Sequence, residues 1–287
     1  MSRPDLTLPP PSLAAERVSL TYGGTTIVAG LDLAVPERAF TALLGPNGSG
    51  KSTVLRALAG LLAPQKGAIL LDGRSIAERP VKETARRIGI LPQGPAAPEG
   101  LTVLELVRQG RYPHRSLFGR WSRADEDACA QALRLTSLDA LRDRPLDSLS
   151  GGQLQRAWIA MALAQETGIL LLDEPTTFLD LAHQIELMEL IASLVEERGT
   201  TVVAVLHDLN QAARYADQMV FLKAGEIAAA GEPDRVVTAP LVEQVFGVAA
   251  SIVPDPVTGT PMCIPSAKGH RSRRRQRCAP SRQGDGG

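Results

Sequence analysis

No uninterrupted apolar run in this sequence approaches the roughly 18 residues that a membrane-spanning helix needs, so a soluble chain is expected. Cysteine is scarce: Cys129, Cys263 and Cys278 are odd in number and lack CxxC spacing, which excludes a disulfide framework and a zinc site. The four histidines (114, 183, 207 and 270) are too scattered to suggest a metal cluster. Aromatics are only 3% of the chain, so each one near a candidate site carries weight. Net charge is also missing, since Lys plus Arg and Asp plus Glu are 31 each. That balance hides an asymmetry. Residues 266–287 carry Lys268 and Arg271, Arg273, Arg274, Arg275, Arg277 and Arg282 against Asp285 alone, leaving 24 basic and 30 acidic groups for the rest. An acidic body does not suggest nucleic-acid binding. Near the N-terminus a Pro9-Pro10-Pro11 run stands where a signal peptide would need an apolar stretch, and a cytosolic location is expected.

What is present is 287 residues at 44% hydrophobic and 22% charged, enough for one large domain or two small ones and incompatible with a disordered chain. Residues 1–12 are expected to be loose, 13–255 to form one body, and 256–287 to be an extension whose basic tail starts at 266. Within the body, Arg17–Leu20, Ile27–Val35 and Ala39–Leu44 read as an antiparallel start of three short strands. A helix from Ser52 to about Gly60 and strands at 68–72 and 88–91 follow, then a helical subdomain over about 94–165. The all-apolar Ile169–Leu172 and Thr201–Leu206, separated by a helix over about 181–197, are the pattern of a parallel sheet buried on both faces. Lys223–Ala230 reads as a late hairpin turning at Ala224-Gly225. The fold class expected is α/β, with a mostly parallel sheet core, an N-terminal antiparallel subdomain and a helical subdomain.

Chemistry concentrates in three places. Gly45-Pro46-Asn47-Gly48-Ser49-Gly50-Lys51-Ser52 fits GxxxxGK[ST] directly after a strand and opens a helix, the context a phosphate loop requires. Its glycines let backbone N–H groups converge on phosphate oxygens, Lys51 bridges the outer phosphates, and the Ser52 hydroxyl ligates magnesium. Asp173-Glu174 ends the apolar strand at 169–172, the sheet edge where ligands of open α/β folds bind. As an alternative to a solvated strand end, Asp173 would reach the magnesium and Glu174 would orient and deprotonate the attacking water. Leu149-Ser150-Gly151-Gly152-Gln153 opens another helix and reads either as plain capping or as a second anion cradle. One ATP already has its cradle at Lys51. A second is redundant unless it serves the nucleotide of another copy, which argues for a head-to-tail dimer with two shared sites.

Together with His207, these motifs resemble the nucleotide-binding ATPase subunit of ABC transporters over about residues 15–255. The resemblance extends to ATPases of iron(III)-siderophore importers in Gln109-Gly110-Arg111-Tyr112-Pro113-His114 and in the 176–184 stretch, which also resemble haem and cobalamin importers. It implies catalytic roles for Glu174, His207, Gln93 and Lys51. For nucleotide binding it implies Tyr22 against adenine, Gly45 to Thr53 around the phosphates (Gly45, Pro46, Asn47, Gly48, Ser49, Gly50, Lys51, Ser52, Thr53), and Ser150, Gly151, Gly152, Gln153 and Asp180 across the dimer. The implied metal set is Ser52, Gln93 and Asp173. Packing for Tyr22, a loop amide for Gln93 and a helix N-cap for Asp180 remain the competing readings. ATP and Mg2+ are the implied cofactors. The implied partners are a second copy of the chain, two membrane permease subunits, and an extracytoplasmic solute-binding protein acting through them. The implied place is the cytoplasmic face of the cell membrane. Residues 94–118, with Tyr112 and Arg115, would face the permease. The Arg-rich tail reads as a solvated end or as a weak contact with anionic lipid. The rivals are a haem or cobalamin importer ATPase and a non-transport ABC ATPase.

Overall fold

The structure is a computed structural model that describes residues 11–94, 99–115, 120–177 and 179–266. Residues 1–10, 95–98 and 116–119, which include parts of the expected permease-facing stretch 94–118, Phe178, and the Arg-rich tail from 267 onward lie outside the described residues.

β1 (Pro11–Tyr22) and β2 (Thr25–Pro36) form an antiparallel pair. β1 starts earlier than the expected Arg17, and Ser12 is buried, so the ordered fold reaches into the segment expected to be loose. The signal was masked by a register shift between Ala15 and Val18, where Arg17 sits at φ 47° and breaks the alternation. β3 (Phe40–Leu44) does not continue this pair. It enters a different, parallel sheet, because all five of its residues are buried and both faces need cover. α1 (Lys51–Leu58) follows, and β4 (Lys66–Leu71) and β5 (Arg74–Ser75) return to the first sheet in the order β2-β1-β4-β5. α2 (Val81–Arg87) then leads into β6 (Ile88–Leu91).

The helical part contains α3 (Val103–Gln109), α4 (Arg123–Leu135) and α5 (Gly151–Ala164). Each begins with a reciprocal capping box, Thr102 with Glu105, Ser122 with Asp125 and Ser150 with Gln153, which satisfies orphan N–H groups at every start. These helices share their own core around Leu106, Cys129, Leu133 and Ala160.

The chain then alternates through β7 (Ile169–Asp173), α6 (Leu181–Arg198), β8 (Thr201–Val205), α7 (Leu209–Tyr215) and β9 (Gln218–Lys223). β10 (Glu226–Gly231) turns back antiparallel, and α8 (Pro233–Val236) and α9 (Ala239–Phe246) pack beyond it. The second sheet runs β10-β9-β3-β8-β7-β6, so β7 lies one strand in from the edge rather than at the centre. Alternate residues feed two cores. Leu170, Leu172, Val202 and Phe221 pack with α6 and α9, while Leu171, Val203, Val220 and Leu222 pack with α1 and the antiparallel sheet. Each such side chain contributes about 2 kcal/mol on burial.

The sequence expectation missed a final hairpin, β11 (Ala250–Pro254) with β12 (Pro261–Pro265), which crosses the expected boundary at 255. Its pattern is only half buried, and polar contacts to α7 hold it: Asn210 brackets the Cys263 backbone, and Arg214 meets Asp255 at 2.6 Å.

Candidate nucleotide site

β3 delivers the phosphate loop at the carboxyl edge of the parallel sheet. Gly45 lies at φ 147°, and a Cβ there would sit 2.1 Å from the Leu222 carbonyl oxygen, so only glycine lets the loop pass β9. Ser49 O accepts from Gly225 N at 3.1 Å, which fastens the loop to the β9–β10 turn. Lys51 is buried and its Nζ donates to the Gly45 and Pro46 carbonyls at 2.9 and 3.0 Å. Burial pulls its pKa below the ordinary lysine value, while the nearby Glu174 and Asp173 charges oppose that shift.

β7 supplies the acids. Asp173 is 1% exposed, and its Oδ1 accepts from Ser52 Oγ at 2.8 Å, while its Oδ2 has no hydrogen-bond partner among the described residues. Burial pushes its carboxyl pKa up against the Ser52 bond. A buried, unpartnered carboxylate oxygen beside a hydroxyl is a donor set that fits a hard divalent cation.

Glu174 sits at φ 53°, a left-handed conformation that non-glycine residues seldom adopt and that marks strain at functional turns. Its carboxylate is held from three sides: Gln93 Nε2 donates to Oε2 at 2.8 Å, Thr177 Oγ1 donates to the same oxygen at 3.4 Å, and His207 Nε2 lies 2.8 Å from Oε1. Sequence reasoning missed one support of this turn. Buried Gln155 of α5 donates through Nε2 to the Pro175 carbonyl at 3.1 Å, a bond that no motif spacing announces.

These groups line one open cleft of about 560 Å³ with Tyr22, Ile27, Asn47, Gly48, Gly50, Lys51, Ser52, Thr53, Arg56, Gln93, Glu174 and His207. Tyr22 is 68% exposed at the edge of the cleft. Gly45, Pro46 and Ser49 form the loop beneath, and Asp173 reaches the cleft through Ser52.

The other glycine-rich start lies outside that cleft. Ser150 caps α5 by accepting from Gln153 N at 3.3 Å, and Gln153 Oε1 accepts from Ser150 N at 3.1 Å. Gly151 is exposed, and a Cβ on Gly152 would sit 3.3 Å from Leu179 Cδ2, so this helix start abuts the loop before α6. Asp180 caps α6, accepting from His183 N at 3.0 Å with His183 Nδ1 2.8 Å away. Those contacts, the backbone one foremost, hold its carboxyl below the usual aspartate range. Both segments present polar groups outward.

The 109–114 stretch does structural work. Arg111 is buried and bonds Asp125 at 2.9 Å, the Ala164 carbonyl at 2.8 Å and Glu166 at 2.7 Å, tying together the ends of α3, α4 and α5. His114 Nε2 meets the Gln165 carbonyl at 2.7 Å. Tyr112 faces outward at 65% exposure, beside a hollow of about 420 Å³ that it lines with Arg115, Arg108 and Trp121.

The family model described as ABC transporter matches residues 28–177. The chain is 52% identical to the probable siderophore transport system ATP-binding protein YusV of Bacillus subtilis, covering 90% of this chain and 94% of that one. It is 51% identical to the ferric enterobactin transport ATP-binding protein FepC of Escherichia coli, over 88% and 93%. Among solved structures, an inward-facing conformation described as that of a metal-chelate type ABC transporter superposes with a TM-score of 0.77 at 30% identity, covering 90% of this chain and 98% of that one. A dimeric post-hydrolysis state of the cassette MJ0796 bound to ADP and Pi gives 0.69 at 31% identity, over 77% and 98%. With a phosphate loop, a strained glutamate and the second glycine-rich helix start all in place, the chain belongs to the ABC transporter family as its ATP-hydrolysing subunit.

Proposed function

We propose that this ATPase drives uptake of iron(III)-siderophore complexes through separate permease subunits at the cytoplasmic face of the membrane. The observation that carries the cargo is the 52% identity, over nearly the whole of both chains, to a relative named for siderophore transport. Among the described residues no helix is long and apolar enough to cross a membrane, so the path for the cargo belongs to other subunits.

The chemistry follows from the cleft. Tyr22 stacks on adenine, and the 45–53 loop wraps the phosphates with its N–H groups. Lys51 exchanges its two carbonyl partners for outer phosphate oxygens, a move its buried, partly desolvated ammonium favours. Ser52, Asp173 and Gln93 would hold Mg2+, which supplies charge neutralisation on the phosphates. Glu174 orients and deprotonates the attacking water, with Gln93 and His207 fixing its two oxygens until nucleotide claims them. Ser150, Gly151, Gly152, Gln153 and Asp180 lie outside this cleft, and we assign them to the nucleotide of a second copy. ATP thus joins two chains and hydrolysis releases them.

The permease is assigned the face carrying Tyr112 and Arg115, together with an apolar hollow of about 280 Å³ beside α2 flanked by exposed Leu61 and Val81. A solute-binding protein acts through the permease from the far side. Reconstitution with the permease subunits in vesicles tests the assignment: a binding protein loaded with ferric siderophore should raise ATP hydrolysis several-fold. Stimulation by a haem- or cobalamin-loaded binding protein instead would transfer the chain to that branch.

A further inference from the structure

The turn carrying His207 and the loop carrying Asp180 belong to separate α/β units, and nothing in the motifs explains what keeps them in register. His207 is followed by Asp208, which caps the short helix α7 by accepting from Asn210 N at 2.8 Å and Gln211 N at 3.0 Å. A helix of seven residues has little stability of its own and takes its position from its contacts. Asn210 provides one: its Nδ2 donates to the Cys263 carbonyl at 3.2 Å, and its Oδ1 accepts from Cys263 N at 2.7 Å.

Gln211 provides the other, to α6. Its Nε2 donates to Gln184 Oε1 at 3.1 Å, and Gln184 Nε2 donates in turn to the Leu179 carbonyl at 3.1 Å, one residue before Asp180. Because His207 also touches Glu174, which begins the loop that ends at Asp180, these bonds close a ring: His207, Glu174, the 174–180 loop, Gln184, Gln211 and back through α7. A carboxamide is suited to this task, since it donates at one end and accepts at the other and so transmits position along the chain of bonds.

We propose that Gln184 and Gln211 are positioning residues for ATP hydrolysis: their paired carboxamides hold the His207 turn at a set distance from the loop that carries Asp180. The proposal deepens the assignment of His207 to the hydrolytic site and rests on it. Neither glutamine lines the nucleotide cleft, so neither touches the reacting atoms. Breaking the link leaves the cleft's binding groups in place while loosening the His207 turn relative to Glu174, and small displacements of that kind are costly in the chemical step.

A double-mutant cycle on the purified full chain tests this, using Gln184→Ala, Gln211→Ala and the pair together, with His207→Ala as the reference. Each single substitution should lower kcat about tenfold while KM for ATP stays within about twofold and the melting temperature is preserved. The double variant should be no worse than either single one, because all three break the same link. Unchanged kcat in the single variants, losses that multiply in the double variant, or a fall in kcat only in step with melting temperature would each overturn the proposal. Full activity in His207→Ala would overturn the assignment of His207 itself. Inactive His207→Ala with unaffected glutamine variants would overturn the link alone.

Discussion

On the proposed reading Lys51 and Glu174 divide the work of the cleft, and their substitutions should separate binding from turnover. Lys51 is the buried cation directed at the loop carbonyls, so Lys51→Ala removes the mobile charge for the outer phosphates. Its thermal stabilisation by Mg-ATP, which follows RT ln(1 + [L]/Kd), should shrink at a fixed ATP concentration. An unchanged shift together with unchanged hydrolysis would remove the phosphate-loop assignment. Glu174→Gln keeps the shape held by Gln93 and His207 but loses the carboxylate proposed as the base. Turnover should fall about 10²-fold or more with the ATP-induced shift retained, read by phosphate release and thermal denaturation. These residues were legible because their type and spacing are the chemistry: glycines ahead of Lys51-Ser52, and two acids at the end of an apolar strand. Gln155, Gln184 and Gln211 were not, since the Gln155 bond to the Pro175 carbonyl and the Gln184–Gln211 carboxamide pair join residues 20 and 27 positions apart and leave no local pattern.

Elements differ in the same way. β7 and β8 stand out as continuous apolar runs because both faces are buried. The β11–β12 hairpin does not, since its residues are mostly half exposed and its anchors, Asn210 and Arg214, lie on another element. β3 was legible as a strand but not in its partners, because proximity in sequence to β2 suggested a pairing that burial on both faces overrides. In the helical part the junction depends on an ion pair hidden from any periodicity. Burial raises the Asp125 pKa, but bonds from Ser122 and Arg111 outweigh it and bring the carboxyl down to about 2. Since the folded value lies below the unfolded one of 3.8, this group's contribution is complete above pH 3.8 and is lost as pH falls towards 2. The contribution is about 2 kcal/mol, and Asp125→Asn should flatten that part of the acid-denaturation curve followed by circular dichroism. A variant curve as steep as the parent's between pH 4 and 2 would show that another group carries the acid sensitivity.

At the scale of the whole molecule, the described residues form a cleft lined by the phosphate loop and a second glycine-rich helix start that lies outside it, the one we assign to the nucleotide of another copy. Two copies arranged head to tail would complete both sites. Glu174→Gln, expected to bind ATP without turning it over, should therefore run as a dimer by light scattering with saturating Mg-ATP and as a monomer without it. A monomer under both conditions would contradict the shared site. The balance of charge fits the same picture, because the residues before 266 carry 24 basic against 30 acidic groups, a sign that does not suggest nucleic-acid binding by the body. On the proposed reading the chain's work is to convert ATP into relative motion of two copies and to pass that motion to subunits that carry the cargo. The most direct test is uptake of labelled ferric siderophore, haem and cobalamin by cells whose only copy of this protein carries Glu174→Gln. Loss of siderophore uptake with the other two intact is the expected result, and intact siderophore uptake would contradict the assignment.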